Sequence, residues 1–281
     1  MLVSSARPVV AGVSGSPSST RAVEVAAREA AARGLPLRLV HTVTFRPGVV
    51  DQPGFAGDLL RRARAVATAV EPGLWISAEL IEGHPVTGLL RLSRQSSLTV
   101  IGDGDLARHE CLPRESTAVQ VAARADGTVL VTRAAPTPDG PVIVGVDAAS
   151  VSTPALEFAF AAAAPRHALL RLIHVGEVPD RAHVLTDVIR SRAMAYGIPA
   201  RLDTLTGDPA DVLRHESEEA ALVVVGARGD RPHQRLLGSV AQTLLHQAGS
   251  PLAIIRRPRP HLRTRISARF ARSGAAVARW A

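Results

Sequence analysis

The sequence predicts an α/β protein of two tandem domains, each a five-stranded parallel sheet with helices on both faces. Two observations support this prediction. Short apolar runs alternate with helical patterns along the 281 residues, and such alternation is typical of right-handed βαβ units. In addition, 46% of the residues are hydrophobic but only 3% are aromatic. The cores must therefore consist of Ala, Val, Leu and Ile, as in buried parallel sheets.

A duplication is indicated by five sequence blocks that recur in the same order. The pairs are PVVAGVSGS with PVIVGVDAA, LRLVHTV with LRLIHV, EGHPVTGLLRLS with TGDPADVLRHES, LTVIGDGD with LVVVGARG, and GTVLVTR with SPLAIIRR. The segment AAPTPDGP joins the copies, since proline and small residues are typical of linkers. We expect a first domain over residues 1–134, a second over 135–257 and a basic tail over 258–281.

The strands and helices follow from this periodicity. In the first copy the predicted strands are 9–13, 37–43, 76–81, 98–102 and 128–132. Its first helix has a serine or threonine N-cap and ends at Gly34. In the second copy the predicted strands are 142–146, 169–175, 200–205, 222–226 and 252–256, with helices over 153–164, 181–196, 209–219 and 238–248. The fold class is flavodoxin- or Rossmann-like, in which ligands bind beyond the carboxyl ends of the strands.

Charge and cysteine content narrow the function classes. All 33 basic residues are arginines, which excludes P-loop, Schiff-base and kinase-type lysines. Eight of them follow Ile255 with no acidic residue among them, so the net charge of +8 belongs to the segment from Arg256 onward and we expect no nucleic-acid partner. The single cysteine, Cys111, fits a reducing cytoplasm. Because no segment has the pattern of a signal peptide or a membrane span, we expect a cytoplasmic protein.

The basic tail allows two interpretations. Its apolar residues fall near helical spacing with arginines between them: Leu262, Ile266, Phe270, Val277 and Trp280. This pattern suits a basic amphipathic segment that binds an anionic membrane surface or an acidic partner. The alternative is a solvated, disordered terminus, because Ser273 and Gly274 interrupt any helix.

A glycine-bearing loop, VVVGARGDRPHQRLLGSV, follows the fourth strand of the second copy. Gly226 and Gly229 would let backbone approach a ligand closely, and Arg228 adds positive charge. Gly238 and Ser239 open a helix whose first N–H groups suit an anion. The serine can cap this helix or donate its hydroxyl to a phosphate. The alternative is a plain strand-to-helix turn in a fold that has lost its ligand.

These residues resemble the tandem-domain universal stress proteins, over both copies and roughly from Pro8 to Arg257. Members of that family have GVD ending the first strand and G-x2-G-x9-G-[ST] later in the domain, which contacts ATP in the nucleotide-binding members. The second copy has GVD at 145–147 and the spacing G-x2-G-x8-GS. The resemblance implies ATP, with or without Mg²⁺, as the cofactor. It implies contacts from Asp147 to the nucleoside, Val175 to adenine, Gly226 and Gly229 to ribose and phosphates, and Gly238, Ser239 and Val240 to the phosphates.

The two copies differ at these positions. In the second copy the loop is one residue shorter than the family pattern, and Pro232 stiffens it. In the first copy Ser14 replaces the aspartate, Asp105 replaces the second glycine and Glu115 replaces the third. Two carboxylates near a phosphate repel it. We therefore predict that the first domain has a degenerate site that does not bind ATP.

The predicted function is that of a universal stress protein, a stress-response or signalling module that binds ATP in its second domain. We expect no enzyme activity beyond a slow incidental ATPase, and no catalytic residue. We also expect no metal site, since the ten histidines lack metal-ligand spacing. His41 and His174 are interpreted as strand-end packing residues. The expected assembly is a homodimer or an intramolecular pseudo-dimer. The alternative function is a nucleotide-free interaction or scaffold protein of the same fold, acting through a partner or a membrane surface.

Overall fold

The computed structural model describes residues 6–43, 53–133, 137, 139–146, 154–177, 182–227 and 237–256. Within these ranges the first half of the chain alternates strands and helices: β1 Val9–Gly12, α1 Pro17–Ala32, β2 Leu37–Val43, α2 Pro53–Val70, β3 Ile76–Glu82, α3 Pro85–Ser93, β4 Leu98–Gly102, α4 Thr117–Arg124 and β5 Val129–Thr132. The second half repeats this order: β6 Val142–Gly145, α5 Pro154–Ala163, β7 Leu170–Val175, α6 Ala182–Tyr196, β8 Ala200–Leu205, α7 Pro209–Glu216, β9 Leu222–Gly226, α8 Ser239–Gln247 and β10 Leu252–Ile255.

The strands of both halves form one ten-stranded sheet in the order β3-β2-β1-β4-β5-β10-β9-β6-β7-β8. Within each half all neighbouring strands are parallel. The halves meet at β5 and β10, which pair antiparallel with Leu130 opposite Ala253. The predicted α/β class, with five parallel strands in each half and helices on both faces, is therefore confirmed, and the two sets of strands join into one sheet.

The predicted bounds agree with the structure to within one residue, except that α7 ends three residues earlier than expected. The predicted bounds of β2, β4, β8 and β9 are those of the structure. Helix α7 ends at Glu216 rather than at 219 because the buried Ser217 caps it. The Ser217 hydroxyl donates to the carbonyl oxygen of Arg214 at 2.5 Å and accepts the amide of Gly249 at 2.9 Å. A contact with the turn before β10 thus ends the helix. The sequence around the end of α7 does not predict that contact.

Two apolar layers cover the sheet, and each extends across both halves. Successive strand residues point to opposite faces, so Val9 packs under one layer and Val10 under the other. Helices α1, α2, α5 and α6 cover the first face, where the ring of the fully buried Phe160 stacks on Tyr196 with centroids 5.4 Å apart. Helices α3, α4, α7 and α8 cover the second face. No helix of the described residues is both long and apolar enough to cross a membrane.

The start of α1 explains the serine-rich segment after β1. Ser16 is the N-cap, and its hydroxyl accepts the amide of Ser19 at 3.2 Å. Gly34 follows the helix with φ of 60°, a left-handed conformation that glycine adopts at low cost. The predicted serine N-cap and glycine stop are both confirmed.

The first faces of the two halves also meet at a buried carboxylate. Glu29 of α1 is 1% exposed and forms ion pairs with Arg33 of its own half and with Arg166, which follows α5. The guanidinium of Arg33 also lies 5.1 Å from the ring centre of Phe158. Burial alone would raise the pKa of Glu29, but the charges of Arg166 and Arg33 outweigh it and hold that pKa below its ordinary value. The two halves are therefore joined by charge as well as by the sheet.

Candidate functional site

The strand order of the second half creates a crevice at the carboxyl ends of β6 and β9. These strands are neighbours in the sheet, with Val144 opposite Val224, but the chain continues from β6 to β7 on one side and from β9 to β10 on the other. The helices after β6 and β9 lie on opposite faces of the sheet, α5 on the first and α8 on the second. In open α/β sheets this is the point at which ligands bind.

The start of α8 lies directly against the end of β9. The amide of Gly238 donates to the carbonyl oxygen of Ala227 at 3.0 Å, and the amide of Ala227 donates to Ile255 of β10 at 2.9 Å. Gly226, the residue before Ala227, is exposed. The structure thus brings together Gly226 and Gly238, two of the glycines that the sequence assigned to one site, although twelve positions separate them in the chain.

The first turn of α8 presents backbone donors. The first helical hydrogen bond joins the amide of Gln242 to the carbonyl oxygen of Gly238 at 2.9 Å. The amides of Ser239, Val240 and Ala241 therefore have no acceptor within the helix. They carry the positive end of the helix dipole and suit an anionic oxygen. These groups fit the phosphates that the family resemblance implies.

Ser239 does not act as the helix cap. Gly238 occupies the N-cap position with φ of −67° and ψ of 163°, and Ser239 is the first helical residue. The Ser239 side chain is exposed. Of the two roles considered for this serine, helix capping is therefore wrong, and donation to a ligand stays a prediction. Val240 is half-buried and packs against the second apolar layer, so its contribution to a site is its backbone amide.

Val175 ends β7 and is half-buried at the same end of the sheet. The preceding residue, His174, is 9% exposed, and its ring nitrogens lie 3.4 Å from the carbonyl oxygen of Val146 and 3.0 Å from that of Glu177. In the first half the His41 ring contacts the carbonyl oxygen of Val13 at 2.8 Å. Both histidines therefore tie the ends of adjacent strands together, as predicted.

Three predicted site residues lie outside the described residues: Asp147, Arg228 and Gly229. The basic tail, 258–281, lies outside them as well. Among the described residues, no three His, Cys, Asp or Glu side chains converge as metal ligands. Of the predicted site, the structure describes Val175, Gly226 and the first turn of α8.

In the equivalent region of the first half, serine hydroxyls bond to one another. Ser14 follows β1, and its hydroxyl lies 3.0 Å from that of Ser16, which in turn lies 3.1 Å from that of Ser18. Gly102, the counterpart of Gly226, packs against α1, because a Cβ there would lie 2.7 Å from the backbone carbon and oxygen of Ser18. The first glycine of the pattern thus has a packing role in this half.

The structure shifts Glu115 by one residue from the position that the repeat predicts, because Glu115 precedes the N-cap of α4 whereas Gly238 is itself the N-cap of α8. Asp105 is exposed and has φ of 60°, a left-handed backbone that costs a non-glycine residue about 1–2 kcal/mol. Glu115 is exposed and directly precedes Ser116, the N-cap of α4. Both carboxylates precede α4, whose start is the counterpart of the donor-bearing start of α8.

Sequence reasoning missed one pair of residues, the arginines that directly follow β5 and β10. Arg133 is 4% exposed and donates to the carbonyl oxygens of Leu244, at 3.0 Å, and Leu245 at the end of α8. It also donates to the buried Asp103 at 3.3 Å. Burial lowers the pKa of Arg133, and the charge of Asp103 opposes that shift.

Arg256 makes the reciprocal contact from the second half to the first. Its guanidinium donates to the carbonyl oxygens of Ala122, at 3.1 Å, and Ala123 at the end of α4. The signal that could have identified both residues is their repetition, since VTR and IIR end equivalent buried strands.

Comparisons with known proteins agree with this structure. A family model described as "Universal stress protein family" matches residues 5–133 and 185–256. A universal stress protein of Mycobacterium bovis is 30% identical over 285 residues, covering 88% of this chain and 96% of that one. One from Mycobacterium tuberculosis is 27% identical with the same coverage. The crystal structure of a universal stress protein from Archaeoglobus fulgidus superposes with a TM-score of 0.68 at 19% identity, covering 90% of this chain and 97% of that one.

Proposed function

The chain belongs to the universal stress protein family, and from that premise we propose that its second half binds ATP as part of a cytoplasmic stress-response or signalling module. The phosphates lie at the start of α8, where Gly238, Ser239 and Val240 donate from backbone and hydroxyl. Val175 packs on the adenine and Gly226 lies beside the ribose. Asp147, Arg228 and Gly229 complete this proposed site from outside the described residues.

One observation supports this proposal above the others: the hydrogen bond from Gly238 to Ala227. It places three amides without helical acceptors beside the exposed end of β9, at the point where the strand order reverses. The glycine at the cap leaves room for a phosphoryl group, and the neighbouring hydroxyl of Ser239 adds a further donor.

We propose that the first half does not bind ATP. Its serine hydroxyls bond to one another after β1, and the carboxylate of Glu115 directly precedes the N-cap of α4. The first half instead supports the second across the β5–β10 junction, so that one chain forms an intramolecular pseudo-dimer. We propose no catalytic residue, and any ATP hydrolysis would be incidental and slow.

Calorimetric titration of the full chain with ATP, with and without Mg²⁺, tests the site when wild type is compared with Gly238→Glu. A carboxylate about 4 Å from a phosphate charge costs about 1 kcal/mol in water and about 4 kcal/mol near a protein surface. The Kd for ATP should therefore rise by about fivefold to about a thousandfold. An unchanged Kd in the variant would remove the start of α8 from the site.

Two equivalent serines provide a matched control. Ser239→Ala removes the proposed phosphate donor, which should weaken ATP binding by about tenfold to about 150-fold, because a hydrogen bond to a charged group contributes about 1.5–3 kcal/mol. Ser116→Ala makes the same change in the first half and should leave the affinity unaltered. If wild type takes up no ATP at millimolar concentration, the nucleotide-free interaction protein becomes the better description of this chain.

A further inference from the structure

Helix α8 is held at its two ends by different halves of the chain. At its start, Gly238 is bonded to Ala227 of the second half. At its last turn, Arg133 of the first half binds the carbonyl oxygens of Leu244 and Leu245. A second first-half contact is made there, since Nε2 of His246 lies 2.7 Å from the carbonyl oxygen of His109. The helix that begins at the proposed phosphate site therefore ends on the first half.

The first-half groups that hold α8 are themselves fixed. Asp103, which follows β4, is 6% exposed and accepts a hydrogen bond from Arg133. The guanidinium is thus bound on one side to the loop after β4 and on the other to α8. Leu106 of the same loop is fully buried in the second apolar layer, together with residues of α8. This loop is the one in which the first half departs from the nucleotide-binding pattern.

The short length of α8 makes this anchor effective. Nine helical residues span about 13 Å, so a shift at the last turn moves the first turn by a similar distance. Hydrogen bonds from amides to an anion need a donor–acceptor distance of about 2.7–3.2 Å and weaken steeply with misalignment. A cation at the carboxyl end also favours the helix dipole that an anion at the amino end uses.

We infer that Arg133, fixed by Asp103, is a positioning residue for the nucleotide site of the second half and acts through α8. The inference rests on the proposed function above. The loop that has lost the nucleotide pattern in one half thereby serves the site of the other, so the second half alone does not contain all that its site requires.

The equivalent arginine supplies a matched control. Arg256 follows β10 as Arg133 follows β5, and it binds Ala122 and Ala123 at the end of α4. Helix α4 begins after Glu115, in the half that we propose not to bind ATP. Arg133→Met and Arg256→Met therefore remove the same kind of contact between the halves. Only Arg133 contacts α8, the helix of the proposed site.

The experiment measures the affinity of the full chain for ATP and for adenosine by calorimetry in wild type and both variants. We expect Arg133→Met to raise the Kd for ATP about tenfold, a change of about 1.4 kcal/mol. The Kd for adenosine should change less than about twofold, because the nucleoside is proposed to contact Asp147 and Val175 rather than α8. Arg256→Met should leave both values within about twofold of wild type.

Three results would overturn the inference. The first is an ATP affinity in Arg133→Met equal to that of wild type. The second is an equal loss of ATP binding and adenosine binding in that variant. The third is a loss of ATP binding in Arg256→Met as large as that in Arg133→Met. If circular dichroism shows that Arg133→Met is unfolded, Asp103→Asn decides the matter, since it loosens the anchor and keeps the arginine. Asp103→Asn should weaken the binding of ATP more than the binding of adenosine. Failure of wild type to bind ATP would overturn the proposed function itself, and this inference with it.

Discussion

Replacing Glu29 by glutamine should destabilise the protein by removing the charge on which two arginines converge. The side chain keeps its size, so packing against α1 and α5 is little altered. The amide carries no charge to balance Arg33 and Arg166, which lie on either side of the junction between the halves. The loss in the free energy of unfolding therefore reports the ion pairs rather than a cavity.

The size of this loss follows from burial. Removing one partner of a buried ion pair costs about 3–5 kcal/mol, because the charge left behind is uncompensated. Here Glu29 is 1% exposed, whereas Arg33 and Arg166 are 17% and 27% exposed. Since water can reach both guanidinium groups, we expect a value at the lower end of that range, about 3 kcal/mol.

The same carboxylate predicts how stability depends on pH. The pKa of Glu29 in the folded protein lies below its ordinary value of 4.5, so the unfolded chain binds its proton at a higher pH than the folded protein does. The contribution of Glu29 is therefore complete above about pH 4.5. It is lost as the pH falls through the lowered folded value. In Glu29→Gln this part of the pH dependence should be absent.

Urea unfolding is the suitable assay, since urea is uncharged and does not screen the ion pairs. Glu24→Gln is the matched control, because Glu24 pairs with Arg28 on the exposed side of the same helix at 4.0 Å. Exposed pairs contribute about 0–1 kcal/mol, so this variant should lose less than about 1 kcal/mol. Equal losses in the two variants, or a pH dependence that Glu29→Gln retains, would refute the role given to Glu29.

Three further substitutions test the packing of each half by the same unfolding measurement. Gly102→Ala should cost about 1–3 kcal/mol, because its Cβ would lie 2.7 Å from backbone atoms of Ser18; a neutral result would mean that α1 shifts freely. Phe160→Ala should cost about 3–5 kcal/mol, since the ring is fully buried against Tyr196; a loss below about 1 kcal/mol would contradict this packing. Asp208→Ala should cost about 1 kcal/mol, because its carboxylate accepts two amides of the first turn of α7; an unchanged unfolding midpoint would argue against that cap.

Local sequence signals were sufficient to predict most of the fold. Apolar runs bounded by turn residues predicted β2, β4, β8 and β9 with their bounds, and Gly34 marked the end of α1. The antiparallel pairing of β5 with β10 could not be predicted in the same way. Both strands are buried along their whole length. This indicates that each has neighbours on both sides in the sheet, but it does not identify the neighbouring strand. The end of α7 depends on Ser217 and Gly249, which are 32 positions apart.

The candidate site also has a part that local sequence predicts and a part that depends on distant residues. The chain supplies Gly238 and Ser239 as neighbours, so a helix start with anion-binding amides could be predicted from their types alone. The sequence assigned Gly226 and Gly238 to one site, but the contact of Gly238 with Ala227 is visible only in the structure. The contact of Arg133 with α8 spans more than a hundred positions. No local sequence pattern predicts which residues an arginine after a buried strand contacts. Only the repetition of Arg133 as Arg256 indicates that the position is important.

The unequal charges around Glu29 have an evolutionary consequence. Arg33 and Arg166 are counterparts in the duplicated halves, yet the counterpart of Glu29 is Ala162, whose carbonyl oxygen accepts a hydrogen bond from Arg166 at 2.6 Å. In an assembly of two identical halves, every substitution would appear twice. Two buried glutamates would then face each other, or neither arginine would have a carboxylate. A single glutamate can serve both arginines only where each half mutates independently, as in a fused gene. That independence also allows one half to give up a ligand while the other keeps it.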